Sequence, residues 1–532
     1  MAILDKQKSN PNGKIKMNEI SPKNRRGAGR AARHMQRQTK GAIAHPCPPG
    51  QIGGMYRPLT EKGLTDIIDT AYRLLEEIGM GEVPAELQDM ALAKGAYLNA
   101  HGRLCYSRAM IEDVIAKAPN QFMLYGRDPK HDIEIGGDKV YYGTGGAAVQ
   151  TLDVDTGLYR ASTLVDLYEF TRLADQMDNL SWFTRICVAT DIPDIHELDI
   201  NTVYALIAGT QKPVGTSFTF GETVAPSIAM FDAAMGGTGA FAKRPCCKVH
   251  ISPIISPLKY GEDAFDVAKA AIDHNMVINA IIAAQSGATA PAPLAGMLAQ
   301  TTAETLAALM MVNIIKPEHP MIFSNWPFVV DLRTGSFTGS GGEISVLNAA
   351  AAQISNALGL VSGVASSMAD AKAVDAQMGM EKGLSSLAAG LAGANMIYES
   401  AGMMASLLGA SFEAMILDNE MLALNQRAIR GVEVTEETLG FDAIKSAVYG
   451  DGHFLGGDQT MDAMLRDYFY PKLANRDNPT IWEETGAKDA WHVAKDTFRQ
   501  LQSEPRETYL SQTADTSIRD RFTIHLSKDL MS

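Results

Sequence analysis

The sequence predicts an α/β protein built on a TIM (β/α)8 barrel, with an N-terminal α+β cap and a helical C-terminal segment. From about residue 140 onwards, short β-rich runs alternate with helical runs at the spacing of βαβ units. About eight strands with intervening helices favour a closed barrel over an open sheet. No GxGxxG follows a predicted strand and no P-loop motif occurs, so a nucleotide-binding fold has no motif to support it.

The predicted barrel strands are short and rich in β-branched or aromatic residues: VYYG, WFTRICVA, VGTSFTF, KVHISPI, VINAIIAA, PMIFSN, GLVSGVAS and ANMIY. Six helices are predicted between them: TLVDLYEFTRLADQM, HELDINTVYALIAG, KYGEDAFDVAKAAIDH, TAETLAALMMVNII, EISVLNAAAAQISNAL and AQMGMEKGLSSLAAGLAG. An amphipathic helix over 60–79, which ends at Gly79, begins the cap. We therefore divide the chain into a basic arm (1–54), a cap (55–138), the barrel (139–445) and a C-terminal helical segment (446–532).

Charge is distributed unevenly along the 532 residues, whose net charge is −14. Residues 1–45 contain eleven Lys and Arg against Asp5 and Glu19, a net charge of +9, which leaves −23 for the rest of the chain. This arm lacks apolar periodicity and is predicted to be disordered, as a solvated tail or a docking segment for an acidic partner. Because the body is acidic, we expect no nucleic-acid partner.

The five cysteines show no metal-ligand spacing, so we predict no metal site and a reducing, cytoplasmic location. No segment reaches the apolar length needed to span a bilayer and no signal-peptide pattern opens the chain, so we expect no membrane association. Residues 345–410 are rich in Gly and Ala, which favours close helix packing and a homo-oligomer.

Aromatic side chains follow several predicted strands, where a TIM barrel places its chemistry. These candidate substrate-binding residues are Tyr142, Phe218, Phe220, Trp326, Phe328 and Tyr398. Aromatic faces attract a quaternary ammonium or sulfonium cation, which has no proton to donate. A methyl group on such a cation already has a neutral leaving group, so transfer needs positioning and desolvation more than acid–base catalysis. The alternative is that each ring serves core packing.

Polar groups at the predicted barrel mouth suit the anionic end of such a substrate. The loop with Gly145 and Gly146 can form an anion-binding nest for a carboxylate, or a plain tight turn. Glu343 starts a helix whose N-terminus adds to the same mouth. Asp370 and Lys372 are our candidate catalytic pair, with Lys372 binding a substrate carboxylate or a phosphate group and Asp370 orienting it. The alternative is a surface ion pair of little energetic value.

Several motifs in a shared order resemble the trimethylamine methyltransferase (MttB-like) superfamily of corrinoid methyltransferases. They are LYGRDPKHDIEIGGDKVYYGTGG (124–146), LDVDTG (152–157), DLRTGSFTGSGGEISVLNAAAAQ (331–353), DAKAVDAQMGMEKG (370–383), LAGANMIYESAG (391–402), SFEAMILDNEML (411–422) and a tail pattern in 452–490. The resemblance covers nearly all of 55–500. It implies a TIM-barrel enzyme that passes a methyl group from a methylamine or betaine to cob(I)alamin on a separate corrinoid protein, giving methylcobalamin, with no cofactor bound covalently.

The same resemblance narrows the substrate. Founding members carry pyrrolysine in the barrel and this chain has none, so it resembles the branch associated with glycine betaine and other quaternary amines. Two positions depart from the family pattern: Tyr398 stands where histidine is frequent, and Gly457-Asp458-Gln459-Thr460 replaces a tail motif with Glu-His-Thr. Another betaine or a sulfonium compound such as dimethylsulfoniopropionate therefore stays open. So do tetrahydrofolate as the direct acceptor and a betaine-binding homologue without catalysis.

The stretch YGDGHFLG (449–456) contains Asp-x-His-x-x-Gly, the pattern by which cobalamin-binding domains offer histidine to cobalt. No later Ser-x-Leu and no second Gly-Gly follow, and charged helices occupy the remaining length. We therefore predict that Asp451 and His453 do not bind cobalt. His453 is instead a candidate substrate-side residue at the mouth, with structural packing as the alternative.

Overall fold

The computed structural model describes residues 46–504 and 509–531. Its centre is a closed ring of eight parallel strands in sequence order: β1 (Lys139–Tyr142), β2 (Phe183–Thr184), β3 (Val214–Thr216), β4 (Cys247–Ile251), β5 (Val277–Ile282), β6 (Met321–Asn325), β7 (Ser362–Ala365) and β8 (Met396–Tyr398). The ring closes where Ile397 pairs with Tyr142 and where Gly143 bridges to Trp182. The TIM-barrel prediction is confirmed, and each strand overlaps one of the eight predicted runs, with β1 and β4 beginning one residue earlier than predicted.

One long helix follows each strand: α1 (Leu164–Asp175), α2 (Ile195–Gly209), α3 (Val224–Ala234), α4 (Glu262–Asp273), α5 (Leu294–Ile315), α6 (Gly342–Ala357), α7 (Ala376–Leu391) and α8 (Phe412–Ile429). The apolar periodicity did not predict α3 or α8. In α3, Pro226 lies in the first turn, where the missing N–H has no helical partner to lose, so a residue that suggests a break is tolerated.

The cap contains helices Glu61–Arg73, Ala85–Ala93 and Arg108–Lys117, with hairpins Tyr97–Leu98/Leu104–Cys105 and Gln121–Leu124/Ile133–Gly136. The first helix begins at Thr60, whose hydroxyl accepts the Gly63 N–H, and continues as a π-helix to Gly79, which has a φ of 71°. Residues 1–45 of the predicted arm lie outside the described residues. Gln51–Ile52, assigned to the arm from sequence, pairs antiparallel with β1.

Short strands and helices lie between the elements of the barrel, and further helices follow it in the sequence. Those between its strands and helices are Gln150–Leu152, Tyr159–Ala161, Gly221–Thr223, Ala240–Lys243, Ile254–Ile255, Lys259–Tyr260, Gln285–Ser286, Phe328–Asp331, Ser336–Thr338, Met403–Met404 and Gly409–Ala410. Helices Glu436–Leu439, Phe441–Tyr449, Pro479–Glu484, Ala490–Ser503 and Gln512–Arg519 follow α8 in the same compact unit. Residues 453–468, with helix Asp458–Arg466, belong to a second unit.

Helix α5 corrects one expectation. Contrary to the sequence-based statement, it is long and apolar enough to cross a bilayer, yet 89% of its most apolar window is buried inside the protein. The cap helices Glu61–Arg73 and Ala85–Ala93 pack against it, and Lys94 Nζ donates to the Ile314 carbonyl at its C-terminus. A helix that is apolar on all sides is typical of a protein core.

A fully buried ion pair joins α7 to α8. Lys382 Nζ lies 3.0 Å from Asp418 Oδ2 and donates to the Ser367 carbonyl at 2.8 Å. The same Asp418 oxygen accepts the Gly402 N–H at 2.8 Å. Ser367 follows β7 and has a φ of 78°, which a residue with a side chain rarely adopts. The ion pair thus fixes the loops that follow β7 and β8.

We expect Asp418→Ala to be strongly destabilising, because it leaves the Lys382 ammonium buried without a counter-charge, at a typical cost of ~3–5 kcal/mol. Thermal unfolding should show a midpoint lowered by several degrees. Asp66→Ala, which breaks the exposed pair between Lys62 and Asp66, is the matched control and should leave the midpoint nearly unchanged. Equal shifts for the two variants would contradict this account of the buried pair.

Candidate active site

Three aromatic rings meet inside the barrel and form what we call the aromatic cluster: Trp182, Trp326 and Tyr398. The Tyr398 ring centroid lies 5.3 Å from that of Trp182 and 5.4 Å from that of Trp326. Trp182 directly precedes β2, Trp326 follows β6, and Tyr398 ends β8, so the rings come from distant parts of the sequence. All three are buried. Such a cluster can enclose a cation away from water.

Lys248 brings a buried amine to the cluster. Its Nζ lies 5.1 Å from the Trp182 ring centroid and 5.6 Å from that of Tyr398. The atom is buried and has no hydrogen-bond partner among the described residues. Burial lowers the pKa of Lys248 to about 7, against a smaller opposing effect of Cys247. Near neutral pH the side chain therefore exists as ammonium and as neutral amine.

His250 lies two residues after Lys248 and continues the polar lining. Its Nε2 is 3.3 Å from Thr184 Oγ1, and its Nδ1 is 3.2 Å from Asn279 Nδ2. Ser324 in turn donates to Asn279 Oδ1. Burial lowers the pKa of His250 well below its usual value, helped by the cations Lys248 and Arg185. With Asn279 Nδ2 donating to Nδ1, neutral His250 carries its proton on Nε2 and donates to Thr184.

Glycines make room for these side chains inside the barrel. A Cβ at Gly215 would lie 2.6 Å from Thr184 Oγ1, 2.8 Å from His250 Nε2 and 3.1 Å from Lys248 Nζ. A Cβ at Gly363 would lie 2.1 Å from Ser324 Oγ. Since both distances to hydroxyl oxygens are below any real contact, the polar lining requires these two positions to have no side chain.

Glu399 directly follows Tyr398 and is fully buried. Neither of its carboxyl oxygens has a hydrogen-bond partner among the described residues. Its carboxyl group lies against Gly145 and Gly146, whose Cβ positions would be 2.9 Å from Oε1 and Oε2. Burial raises the pKa of Glu399 to about 8, with Lys382 opposing the effect.

Of the sequence-predicted residues, five lie in or next to this site. Trp326 and Tyr398 belong to the aromatic cluster. Phe328 makes an edge contact with Trp326, at a centroid distance of 6.4 Å. Gly145 and Gly146 contact the Glu399 carboxyl, so their loop faces a buried acid.

Four other predicted residues have contacts elsewhere. The Tyr142 hydroxyl donates to the Ser386 carbonyl of α7, so this side chain points into the helical layer. Phe218 is buried after β3, and the partly exposed Phe220 stacks on His196 at 4.8 Å. Glu343 is exposed in the first turn of α6.

Asp370 and Lys372 form a loop network of their own. Asp370 Oδ1 accepts the Gly339 N–H and the Ser406 hydroxyl, both at 2.7 Å, and Lys372 Nζ donates to the Asp370 carbonyl. Neither forms a hydrogen bond or ring contact with the aromatic cluster. His453 is exposed within the second unit.

Sequence reasoning missed Trp182, Lys248, His250, Asn279 and Glu399. One signal was available in KVHIS, because Lys248 and His250 are two residues apart in an apolar strand and therefore share a face. In a barrel with apolar helices outside, that face is the interior. Trp182 and Glu399 gave no comparable signal.

The described residues contain no cluster of three or more His, Cys, Asp or Glu that could hold a metal ion. All five cysteines are buried, and burial raises the pKa of each thiol, in the case of Cys246 to about 12. No thiolate nucleophile is therefore present at neutral pH.

Comparison with known proteins adds the family. The model of the trimethylamine methyltransferase (MTTB) family matches residues 25–527. A glycine betaine methyltransferase of Desulfitobacterium hafniense is 28% identical over 81% of this chain and 90% of its own length. The trimethylamine methyltransferase MttB of the same species is 31% identical over 71% of this chain and 76% of its own. That of Methanosarcina thermophila is 30% identical over 72% of this chain and 80% of its own.

Among solved structures, the monomethylamine methyltransferase MtmB of Methanosarcina barkeri covers 85% of this chain and 95% of its own, at 13% identity and a TM-score of 0.46. The family assignment rests on the sequence match, which spans nearly the whole chain and agrees with the closed barrel described above. The chain belongs to the trimethylamine methyltransferase family and is a methyltransferase.

Proposed function

We propose that this enzyme removes a methyl group from the quaternary nitrogen of a betaine and passes it to a corrinoid carried by a partner protein. The observation that carries the proposal is the aromatic cluster with the buried Lys248 amine beside it. The named relatives act on glycine betaine or trimethylamine, which supports a methylated nitrogen as the donor.

The rings suit the cationic end of the substrate. A quaternary ammonium has no N–H to donate, so it gains more from ring faces than from hydrogen bonds. The position of Lys248 Nζ over Trp182 and Tyr398 marks where these rings favour positive charge. Burial also keeps water away from the methyl group that will be transferred.

The position of Lys248 favours a zwitterionic substrate over a substrate that carries only a positive charge. A protonated lysine beside the cluster would repel a quaternary ammonium, unless the substrate brings its own negative charge between the two. A betaine carboxylate supplies this charge and gives Lys248 Nζ the partner that it otherwise lacks. Arg185, which directly follows β2 and acts electrostatically on His250, is a second cation on this side.

The proposed methyl acceptor comes from outside the described residues, because their thiols are not ionised, their carboxylates are poor methyl acceptors and the Lys248 amine is assigned to the substrate carboxylate. A corrinoid supplies a strong nucleophile for this step when its carrier docks. The carboxyl end of the barrel fits such a docking event, since four different loops each expose an apolar side chain there. These rim residues are Val149 after β1, Phe220 after β3, Leu332 after β6 and Leu408 after β8.

The transfer itself requires little acid–base chemistry from the protein. The C–N bond breaks with its electron pair moving to nitrogen, which leaves as a neutral tertiary amine and needs no proton. The work of the residues is to hold the nitrogen among the rings, hold the carboxylate at Lys248 and exclude water.

The proposal is tested by methyl transfer to cob(I)alamin, followed by corrinoid absorbance, with a panel of glycine betaine, proline betaine, carnitine, choline and dimethylsulfoniopropionate. We expect at least one carboxylate-bearing member to be demethylated and choline to react much more slowly. Trp326→Ala should lower kcat/KM by about tenfold or more, because it removes one cage wall. Activity that needs tetrahydrofolate and no corrinoid, or binding of a betaine without demethylation, would contradict the proposal.

Because of Lys248, the affinity for a betaine should fall as the pH rises above neutrality. Its pKa is about 7 in the free protein, and a bound carboxylate raises it, so the contribution of Lys248 is complete below pH 7 and declines as the pH rises above this value. The affinity ratio of wild type to Lys248→Met, measured by tryptophan fluorescence, should exceed about tenfold at low pH and fall towards one. Lys372→Met is the matched control. A pH-dependent loss at Lys372 instead would favour the assignment made from sequence.

We expect substitutions at the rim residues to affect methyl transfer to the corrinoid protein more than methyl transfer to free cobalamin. Leu332→Asp and Leu408→Asp should slow transfer to the corrinoid protein by about tenfold or more, since a charge in an apolar contact is costly. Transfer to free cobalamin should change by less than twofold. Met380→Asp, at an exposed position on the helical layer, is the control. Equal loss with both acceptors would show that the rim serves the site itself and not a partner.

A further inference from the structure

Glu399 carries a buried carboxyl group that the protein itself leaves without a bonding partner. Both oxygens are inaccessible and neither accepts or donates a hydrogen bond among the described residues. Native proteins rarely bury polar atoms in this way, because each one loses its bonds to water. Glu413, a buried acid on α8, shows the usual arrangement, since its carboxylate accepts the Ser411 hydroxyl at 3.0 Å.

The backbone holds Glu399 in place. Its φ is 62°, in the left-handed region that a residue with a side chain seldom occupies. On its C-terminal side, the Ser400 N–H donates to the Gly143 carbonyl at 3.1 Å and the Gly402 N–H donates to Asp418. These bonds fix the loop after β8, so the direction of the side chain follows from the fold. Strained residues kept by their surroundings are frequent at ligand sites.

One short loop connects this carboxyl group to the aromatic cluster. Gly145 and Gly146 lie under the two carboxyl oxygens, and Gly146 has a φ of 109°. At the other end of the loop, a Cβ on Gly143 would lie 2.1 Å from the Trp182 indole, and Trp182 Nε1 donates to the Thr144 carbonyl at 3.3 Å. Tyr398, the neighbour of Glu399, is itself a cluster ring. The acid therefore lies beside the cage that we propose for the quaternary nitrogen.

The nearby charges leave Glu399 available for a ligand. Lys382 is the cation that acts on it, but this lysine already bonds to Asp418 and to the Ser367 carbonyl. Burial favours the neutral acid in the empty site, and a quaternary cation at the cage would favour the carboxylate instead. An unpaired acid next to a cation cage has the charge that such a ligand needs.

We propose that Glu399 is the counter-charge for the positive nitrogen of the substrate and makes the site select a quaternary cation over a neutral group of the same shape. The inference rests on the proposed function and adds a specificity residue to it. The rings provide shape and part of the attraction, and Glu399 provides the discrimination by charge.

The test compares two probes by calorimetry: glycine betaine and 3,3-dimethylbutanoate, in which an uncharged carbon replaces the nitrogen. We expect the wild type to bind glycine betaine at least about tenfold more tightly than the isostere. Glu399→Gln should bring this ratio close to one by weakening glycine betaine alone, and Glu399→Asp should give an intermediate ratio. Glu413→Gln, the same change at a buried but partnered acid, should leave the ratio unchanged.

Two outcomes would overturn the inference. One is a wild type that binds both probes equally or binds neither. The other is a Glu399→Gln variant that weakens both probes alike or leaves the ratio intact, which would assign Glu399 a structural role. The proposed function is judged separately, by methyl transfer with the substrate panel, so an active enzyme with an unchanged ratio would reject this inference alone.

Discussion

A charged group inside a closed barrel has neither water nor free backbone groups to bond, because neighbouring strands already pair their N–H and C=O groups. This constraint explains much of the structure. In the helical layer around the barrel, where the buried charge serves the fold, it is fully paired, as Lys382 and Asp418 are. Where it lies at the proposed site, Lys248 and Glu399 remain without partners and burial displaces the pKa of each towards neutrality. The unpaired groups thus support the proposal that this part of the barrel binds a ligand.

Glycine residues provide the space that the polar side chains occupy inside the barrel. Gly215 and Gly363 omit the side chains that would collide with the polar lining, and Gly143, Gly145 and Gly146 allow one loop to touch both Trp182 and Glu399. The buried ion pair between α7 and α8 then fixes the two loops from which the neighbouring residues project. Packing outside the barrel and geometry inside it are therefore linked. A substitution in the helical layer should alter the geometry of the site even though the substituted residue does not contact it.

The arrangement matches the methyl transfer that we propose. Transfer from a quaternary nitrogen depends on positioning and on the exclusion of water, because the leaving group is already neutral and no proton has to move. The described residues provide such a cage from three separate strands and keep histidine neutral beside it. The exposed apolar rim residues give the proposed acceptor protein a surface to approach.

The sequence by itself determined the barrel and the family. Strand and helix periods are local patterns, so all eight strands were predicted, while α3 was missed because Pro226 and its uniform apolarity obscured the period. Aromatic residues at strand ends identified Trp326 and Tyr398 for the same local reason. Only the tertiary structure decided that Trp182 completes the cluster, that Lys248 and His250 face inward beside Gly215, and that Tyr142 points to the helices. Those contacts join residues that are far apart in the chain. Which side chains meet depends on the register of each strand against its neighbours, and no local sequence pattern encodes this register.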